Sequence, residues 1–311
     1  MGAAMPFDTW YAILCVIAVV DVLLFAYSWV RRAPSPETRY TIWMKWLALP
    51  WVFECVWRCV FPALYLQRFV VWDTPLNAVL VDRTLACLGE LAWTAQIALA
   101  VVEIDFMLVQ RAQHAGERGG TKRTMWICVC GVMSVLIYVA AECMSFYNTA
   151  TENEWWAAAE VITDGVAFAF FFPACVSLFG RQWHDPWCKP KIFALVVALT
   201  AVVYPLYNWL VDAKMYLKRY DYDQSHNKTY FKFIPGLEDA AVHRVVTHKT
   251  VDWSEDMVWM IVYFSVAAWS GIWLMAPPIV ESRAGAPLLL KYQQGQNANI
   301  GSSSGHQHLR V

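Results

Sequence analysis

Six acidic side chains lie inside stretches of this sequence that are otherwise apolar: Asp21, Glu54, Glu90, Glu142, Glu160 and Asp164. Two bases accompany them, Arg58 and, at the margin of its stretch, Arg83. A charge inside a bilayer costs roughly 2.5–3.5 kcal/mol on insertion scales, so such a residue marks a functional site by default. Their spacing is helical. Arg83, Cys87, Glu90 and Thr94 share one face, Trp156, Glu160 and Asp164 share another, and Glu54 and Arg58 are one turn apart. Thr200, Tyr204 and Asn208 repeat at four beside Pro205. Polar stripes avoid lipid, so they converge on the interior of a bundle, where surplus carboxyl groups exchange protons or accept a cation. The set expected to bind an ion or proton is Glu90, Asp164, Glu54, Arg58 and Asp21, with Glu160 and Glu142 drawing cations inward. Arg83, Thr94, Tyr204 and Asn208 are the supporting polar groups.

The structural alternative is that Glu54 with Arg58, and Glu90 with Arg83, are ion pairs that fix helix register. The remaining acids would then hydrogen-bond Tyr138, Tyr204 or Asn208. Two bases leave four of the six acids over, and that surplus favours a site.

The elements that must position these groups follow from composition. The chain has 311 residues, 59% apolar and 16% charged, with 18 tryptophans and a mean hydropathy of +0.38. Soluble domains are roughly 45–50% apolar and about 25% charged, so disordered, nucleic-acid-binding and disulfide-scaffold classes fall away. A membrane-crossing helix needs about 20 mostly apolar residues, and seven such stretches occur: 9–30, 41–65, 78–109, 125–147, 155–179, 192–211 and 257–276. The expected fold is an all-α polytopic bundle of seven transmembrane helices over residues 1–280, with a long exterior loop at 213–252 and a disordered cytosolic tail at 281–311. Pro50, Pro62, Pro173 and Pro205 are expected to kink the spans.

Orientation comes from Lys and Arg in the connections. Those after the first, third and fifth spans carry Arg31, Arg32 and Arg39; Arg111, Arg118, Lys122 and Arg123; and Arg181, Lys189 and Lys191. These face the cytosol, which puts the amino end outside and the carboxy end inside; the 212–256 connection breaks the pattern with seven bases, but long translocated segments largely escape the charge rule. At about 1.5 Å per residue, Asp21, Glu54 and Glu90 then fall near the midplane, Asp164 about 5 Å outward and Glu142 and Glu160 about 10 Å outward. The expected acidic cavity therefore opens toward the exterior.

Other chemistries lack their residues. All seven histidines, at 114, 184, 226, 243, 248, 306 and 308, lie in connections or the tail, so no haem or di-iron centre is expected, and no cofactor. Cys55 and Cys59 share a helix face but have no third ligand nearby, so no metal is expected. The last span has no lysine for a retinal Schiff base. The third carries Glu103-Ile104-Asp105-Phe106 where a G-protein-coupled receptor has Asp-Arg-Tyr, and Asn-Pro-x-x-Tyr is missing from the last.

The connections add three expectations. Residues 236–249 form an amphipathic helix on the outer surface or over the cavity. Asn227-Lys228-Thr229 is a glycosylation acceptor if that side faces a secretory lumen. Leu309-Arg310-Val311 suits a strand-adding peptide-binding domain. The leading expectation is an integral membrane channel or coupled carrier whose partners are the lipid bilayer and a small cation or proton. The alternatives are a non-catalytic membrane-complex subunit or receptor, and a carboxylate-dependent enzyme acting on lipid head groups.

Overall fold

In a computed structural model of the chain, residues 5–31, 38–114 and 121–276 are described. About 81% of the structure is helical, and the fold is all-α with one small sheet. The helices are α1 (Phe7–Val30), α2 (Arg39–Val60), α3 (Val79–His114), α4 (Thr121–Thr151), α5 (Glu154–Ala169), α6 (Phe171–Arg181), α7 (Lys189–Tyr207), α8 (Ala213–Ser225), α9 (Phe233–Val242), α10 (Thr250–Trp253), α11 (Met257–Val262) and α12 (Ala268–Leu274).

Six helical stretches are long and apolar enough to cross a membrane: Phe7–Val30, Val79–Gln113, Met125–Thr151, Glu154–Arg181, Lys189–Ser225 and Met257–Leu274. The remaining expected span is α2, a 22-residue helix with Arg39, Lys45, Glu54 and Arg58 in it, which is not among the six. The bundle surface is apolar. Val16, Val19 and Leu23 of α1 and Val196, Leu199 and Val203 of α7 are exposed, whereas Asp21, Glu54, Asp82, Arg83 and Glu142 are buried. Greasy outside and charged inside is the arrangement of an integral membrane protein.

Local sequence explains the helix ends. Thr38 caps α2 through Thr41, and Asn153 accepts from the Trp155 N–H at 3.0 Å to start α5. Pro62 lies beyond the end of α2 and stops it there, instead of kinking it as expected. The expected fifth span divides at Phe170 into α5 and α6, because the Pro173 ring clashes with the carbonyl four residues back. Pro205 does not end α7. The helix widens into a π turn at Asn208–Asp212 and continues as α8. A second π turn, Tyr263–Ala267, joins α11 to α12.

The long connection is therefore structured. Its first part is helix α8, continuous with the sixth expected span, and α9 follows. The amphipathic helix expected over 236–249 instead runs from Phe233 to Val242, because Val245 and Val246 leave it to pair in a sheet. That sheet joins β1 (Ala63–Leu64), β2 (Phe69–Val70) and β3 (Val245–Val246), with β1 antiparallel and β3 parallel to β2. Gly236 lets α9 press on α4, since a Cβ there would lie 1.8 Å from the Ala150 carbonyl oxygen. At the same end the Phe7 N–H donates to Thr250 Oγ1 at 3.1 Å, and the Tyr11 hydroxyl donates to the Val60 carbonyl at 2.9 Å. The start of α1 and the end of α2 thus meet at the sheet end of the bundle. The expected tail, 281–311, lies outside the described residues.

Candidate functional site

The centre of the site is α3, which passes between α2 and α4. Gly89 lets α2 approach: a Cβ there would come within 2.8 Å of Glu54 Cβ. Glu54 and Arg58 of α2 thereby reach the face of α3 that carries Asp82, Arg83 and Glu90. From the other side α4 brings Glu142 and Tyr138, and α5 brings Glu160.

Two guanidinium groups organise the carboxylates. Arg58 Nη1 lies 3.0 Å from Glu54 Oε1 and 3.9 Å from Glu90 Oε1, and its Nε lies 3.4 Å from Asp82 Oδ2. Arg83 Nη2 lies 2.5 Å from Glu142 Oε2 and 3.3 Å from Glu90 Oε2, and its Nη1 lies 3.6 Å from Glu160 Oε1. Glu90 is the one carboxylate shared by both. Two tyrosines fix it: the Tyr263 hydroxyl donates to Oε1 at 3.0 Å and the Tyr138 hydroxyl faces Oε2 at 3.4 Å. Tyr263 opens the second π turn. Both guanidinium groups lie against Tyr65, 5.8 and 5.7 Å from its ring centre.

Asp164 stands one turn beyond Glu160 on α5, its residue 8% exposed. Glu160, Glu90, Arg83, Tyr138 and Tyr204 are the groups in its electrostatic neighbourhood. The side chains of Glu90 and Arg58 each keep 13% of their surface accessible, and that of Glu160 keeps 18%. Two hollows elsewhere, one of about 280 Å³ between α6 and α7 and one of about 10 Å³ by Lys189, have no carboxylate in their linings.

Compared with known proteins, the chain matches no family model, no curated protein and no solved structure.

Of the residues singled out from the sequence, Glu54, Arg58, Arg83, Glu90, Glu142 and Glu160 come together in one network. Both ion pairs weighed there, Glu54 with Arg58 and Glu90 with Arg83, are present, each as part of a larger set. Three residues stand differently. Asp21 lies apart, its Oδ1 accepting from Trp269 Nε1 at 2.8 Å while Oδ2 is buried without a partner. The Thr94 hydroxyl donates back to the Glu90 carbonyl at 2.9 Å and serves its own helix. Asn208 Nδ2 donates to the Val161 carbonyl at 3.0 Å, tying the first π turn to α5. The end expected to open outward is covered, because Tyr65 on the β1–β2 hairpin lies across both arginines.

Residue-level reading missed Asp82, which sits outside the apolar core of its span although only two turns before Glu90. It also missed a second layer at the sheet end. Arg68, 1% exposed, pairs through Nε with Asp239 at 2.9 Å and Glu152 at 3.3 Å, and Nη1 donates to the carbonyls of Tyr65 and Thr149, each at 2.8 Å. Arg68 and Glu152 both take left-handed backbone, φ 53° and 54°. At the opposite end Arg181 pairs with the fully buried Asp105, and Arg111 holds Asp185 with two contacts of 2.6 Å. A helical stripe of alternating charge is the signal that finds Asp82. Nothing local finds Arg68.

Proposed function

We propose that this protein is a proton- or cation-handling membrane protein, a channel or coupled carrier, in which Glu90 is the central binding group and Glu54, Glu142, Glu160 and Asp164 complete the site. One observation carries the reading: in this cluster two guanidinium groups, Arg58 and Arg83, gather five ion-paired carboxylates, Glu54, Asp82, Glu90, Glu142 and Glu160. A purely structural ion pair is served by one acid per base and gains nothing from a surplus in low dielectric. In this reading the chain crosses the membrane seven times, amino end outside. Support comes from α2, whose 22 residues span about 33 Å antiparallel to α1, and from the bases of the short connections opposite the sheet, Arg31, Arg39, Arg111, Arg181, Lys189 and Lys191, whereas the seven bases of 212–256 belong to a long connection, which largely escapes the charge rule.

The direct test is flux through vesicles containing the purified chain, with proton and alkali-cation gradients imposed in turn. Wild type should pass protons or cations, and Glu90→Gln should lower the rate at least tenfold while remaining folded. Equal rates in both, or none above empty vesicles, would remove the transport reading. A non-transporting subunit is favoured in that event, by the fact that each arginine bridges three different carboxylates and so clamps α2, α3, α4 and α5.

A further inference from the structure

The charges of the cluster do not balance. Six carboxyl groups, Glu54, Asp82, Glu90, Glu142, Glu160 and Asp164, share a core with two guanidinium groups, Arg58 and Arg83. Two negative charges are answered and four are left. A low-dielectric interior does not hold four uncompensated charges, since desolvating even one costs several kcal/mol. Four positive counter-charges must therefore accompany the carboxyl groups, as protons or as bound cations.

Three observations separate those possibilities. Among the described residues no group of three His, Cys, Asp or Glu side chains is placed to hold a metal ion such as calcium or magnesium. The carboxylates are instead strung along the edges of two guanidinium groups. Second, Glu90 and Glu142 meet at the same nitrogen, Arg83 Nη2, at 3.3 and 2.5 Å. Two carboxyl groups crowded on one nitrogen favour a proton on one of them, since like charges so close disfavour double ionisation. Third, Asp164 is more than nine-tenths buried, has Glu160, Glu90, Arg83, Tyr138 and Tyr204 around it, and takes part in no hydrogen bond or ion pair among the described residues. A polar group so placed has a partner other than the protein.

We propose that the counter-charges of this cluster are protons, and that Asp164, which no base or donor of the protein holds, carries the one that exchanges. This rests on the proton-or-cation reading above and narrows it to the proton. In the exchange the O–H bond of Asp164 breaks as one forms on the Glu160 carboxylate a turn away. The O–H bonding pair stays on the Asp164 oxygen and a lone pair of Glu160 forms the new bond, so no oxidant or reductant is needed. Glu160 shares Arg83 with Glu142 and Glu90, which places the Glu90 and Glu142 pair next in line.

Infrared spectra of the full chain in lipid test this without reference to flux. Wild type in neutral buffer should show protonated-carboxyl C=O absorption, one component of which is lost in Asp164→Asn and shifted in Asp164→Glu. The bands should be unchanged when choline is replaced by sodium or potassium. Absence of protonated-carboxyl absorption, an Asp164→Asn spectrum equal to wild type, or bands that disappear on adding sodium or potassium would each overturn the proposal. Vesicle flux separates it from the broader reading. Proton flux that falls at least tenfold in Asp164→Asn, with no sodium or rubidium flux, supports both. Alkali-cation flux as large as proton flux keeps the transport reading and overturns the proton assignment. No flux of any kind ends the transport reading, and the infrared bands then decide the proton assignment alone.

Discussion

Arg58 touches three carboxylates, Glu54, Asp82 and Glu90, and this changes what its removal means. If the pair with Glu54 stood alone, replacing both partners by apolar residues would be nearly neutral. Here that double change leaves Asp82 with its only ion-pair partner gone and Glu90 dependent on Arg83. Arg58→Met is therefore expected to cost about 3–5 kcal/mol, as for breaking a buried pair, and Glu54→Gln clearly less. Adding Glu54→Gln to Arg58→Met should recover only part of the loss. Thermal melting of the three variants in one detergent checks the order, and full recovery in the double variant would show that Asp82 and Glu90 do not depend on Arg58. Tyr263→Phe is milder. It removes one donor to Glu90 without creating a cavity and should cost about 1 kcal/mol.

At the scale of elements, two contacts control the site from outside it. The approach of α2 to α3 depends on Gly89, so Gly89→Ala pushes Glu54 off its arginine and should destabilise by about 1–3 kcal/mol while lowering flux. Normal melting with normal flux would mean that the helices separate at no cost. The second contact is the latch of α9 on Arg68, which holds the hairpin bearing Tyr65 over the cluster. Glu152 belongs to this latch. Burial raises its carboxyl above the ordinary glutamate range, against the opposing pull of Arg68, while Asp239 adds to the rise and Lys228 and His243 oppose it. A carboxyl whose folded pKa lies above its unfolded one contributes stability that is present at low pH and fades as pH climbs through the folded value. The latch should therefore loosen as pH rises out of the ordinary glutamate range, seen as faster cleavage at Lys228 and Lys232 relative to Glu152→Gln at each pH. A ratio that stays constant with pH would free Glu152 from that role.

For the whole molecule, the number of crossings decides a simple observable. With α2 in the bilayer the ends of the chain fall on opposite faces; if only the six strongly apolar stretches cross, both ends fall on one face. We expect an amino-terminal tag to be reached in intact cells and a carboxy-terminal tag only after permeabilisation. Two tags reached together would return α2 to the interior as a packing helix and would require the ion path to be redrawn without it.

Composition alone carried the membrane class, since a chain 59% apolar and 16% charged has too little polar surface to face water. Periodicity carried the helices, because a bilayer forces each apolar run to satisfy its own backbone. It also put Glu90, Glu54, Glu142 and Glu160 on inward faces, since a polar stripe has nowhere else to go. Partnership was not legible there. Which acid meets which arginine depends on how closely helices approach, and that is set by Gly89 against Glu54 and by two π turns that no run of residues announces. Asp21 shows the limit: equal in type and depth to Glu54, it ended beside Trp269 because α1 packs on the far side of α2 from the arginines. Arg68 shows the same from the other direction, a lone base in a connection, 171 residues from the Asp239 that holds it. Local physics writes the inward face of each helix, and only the tertiary packing decides which faces meet.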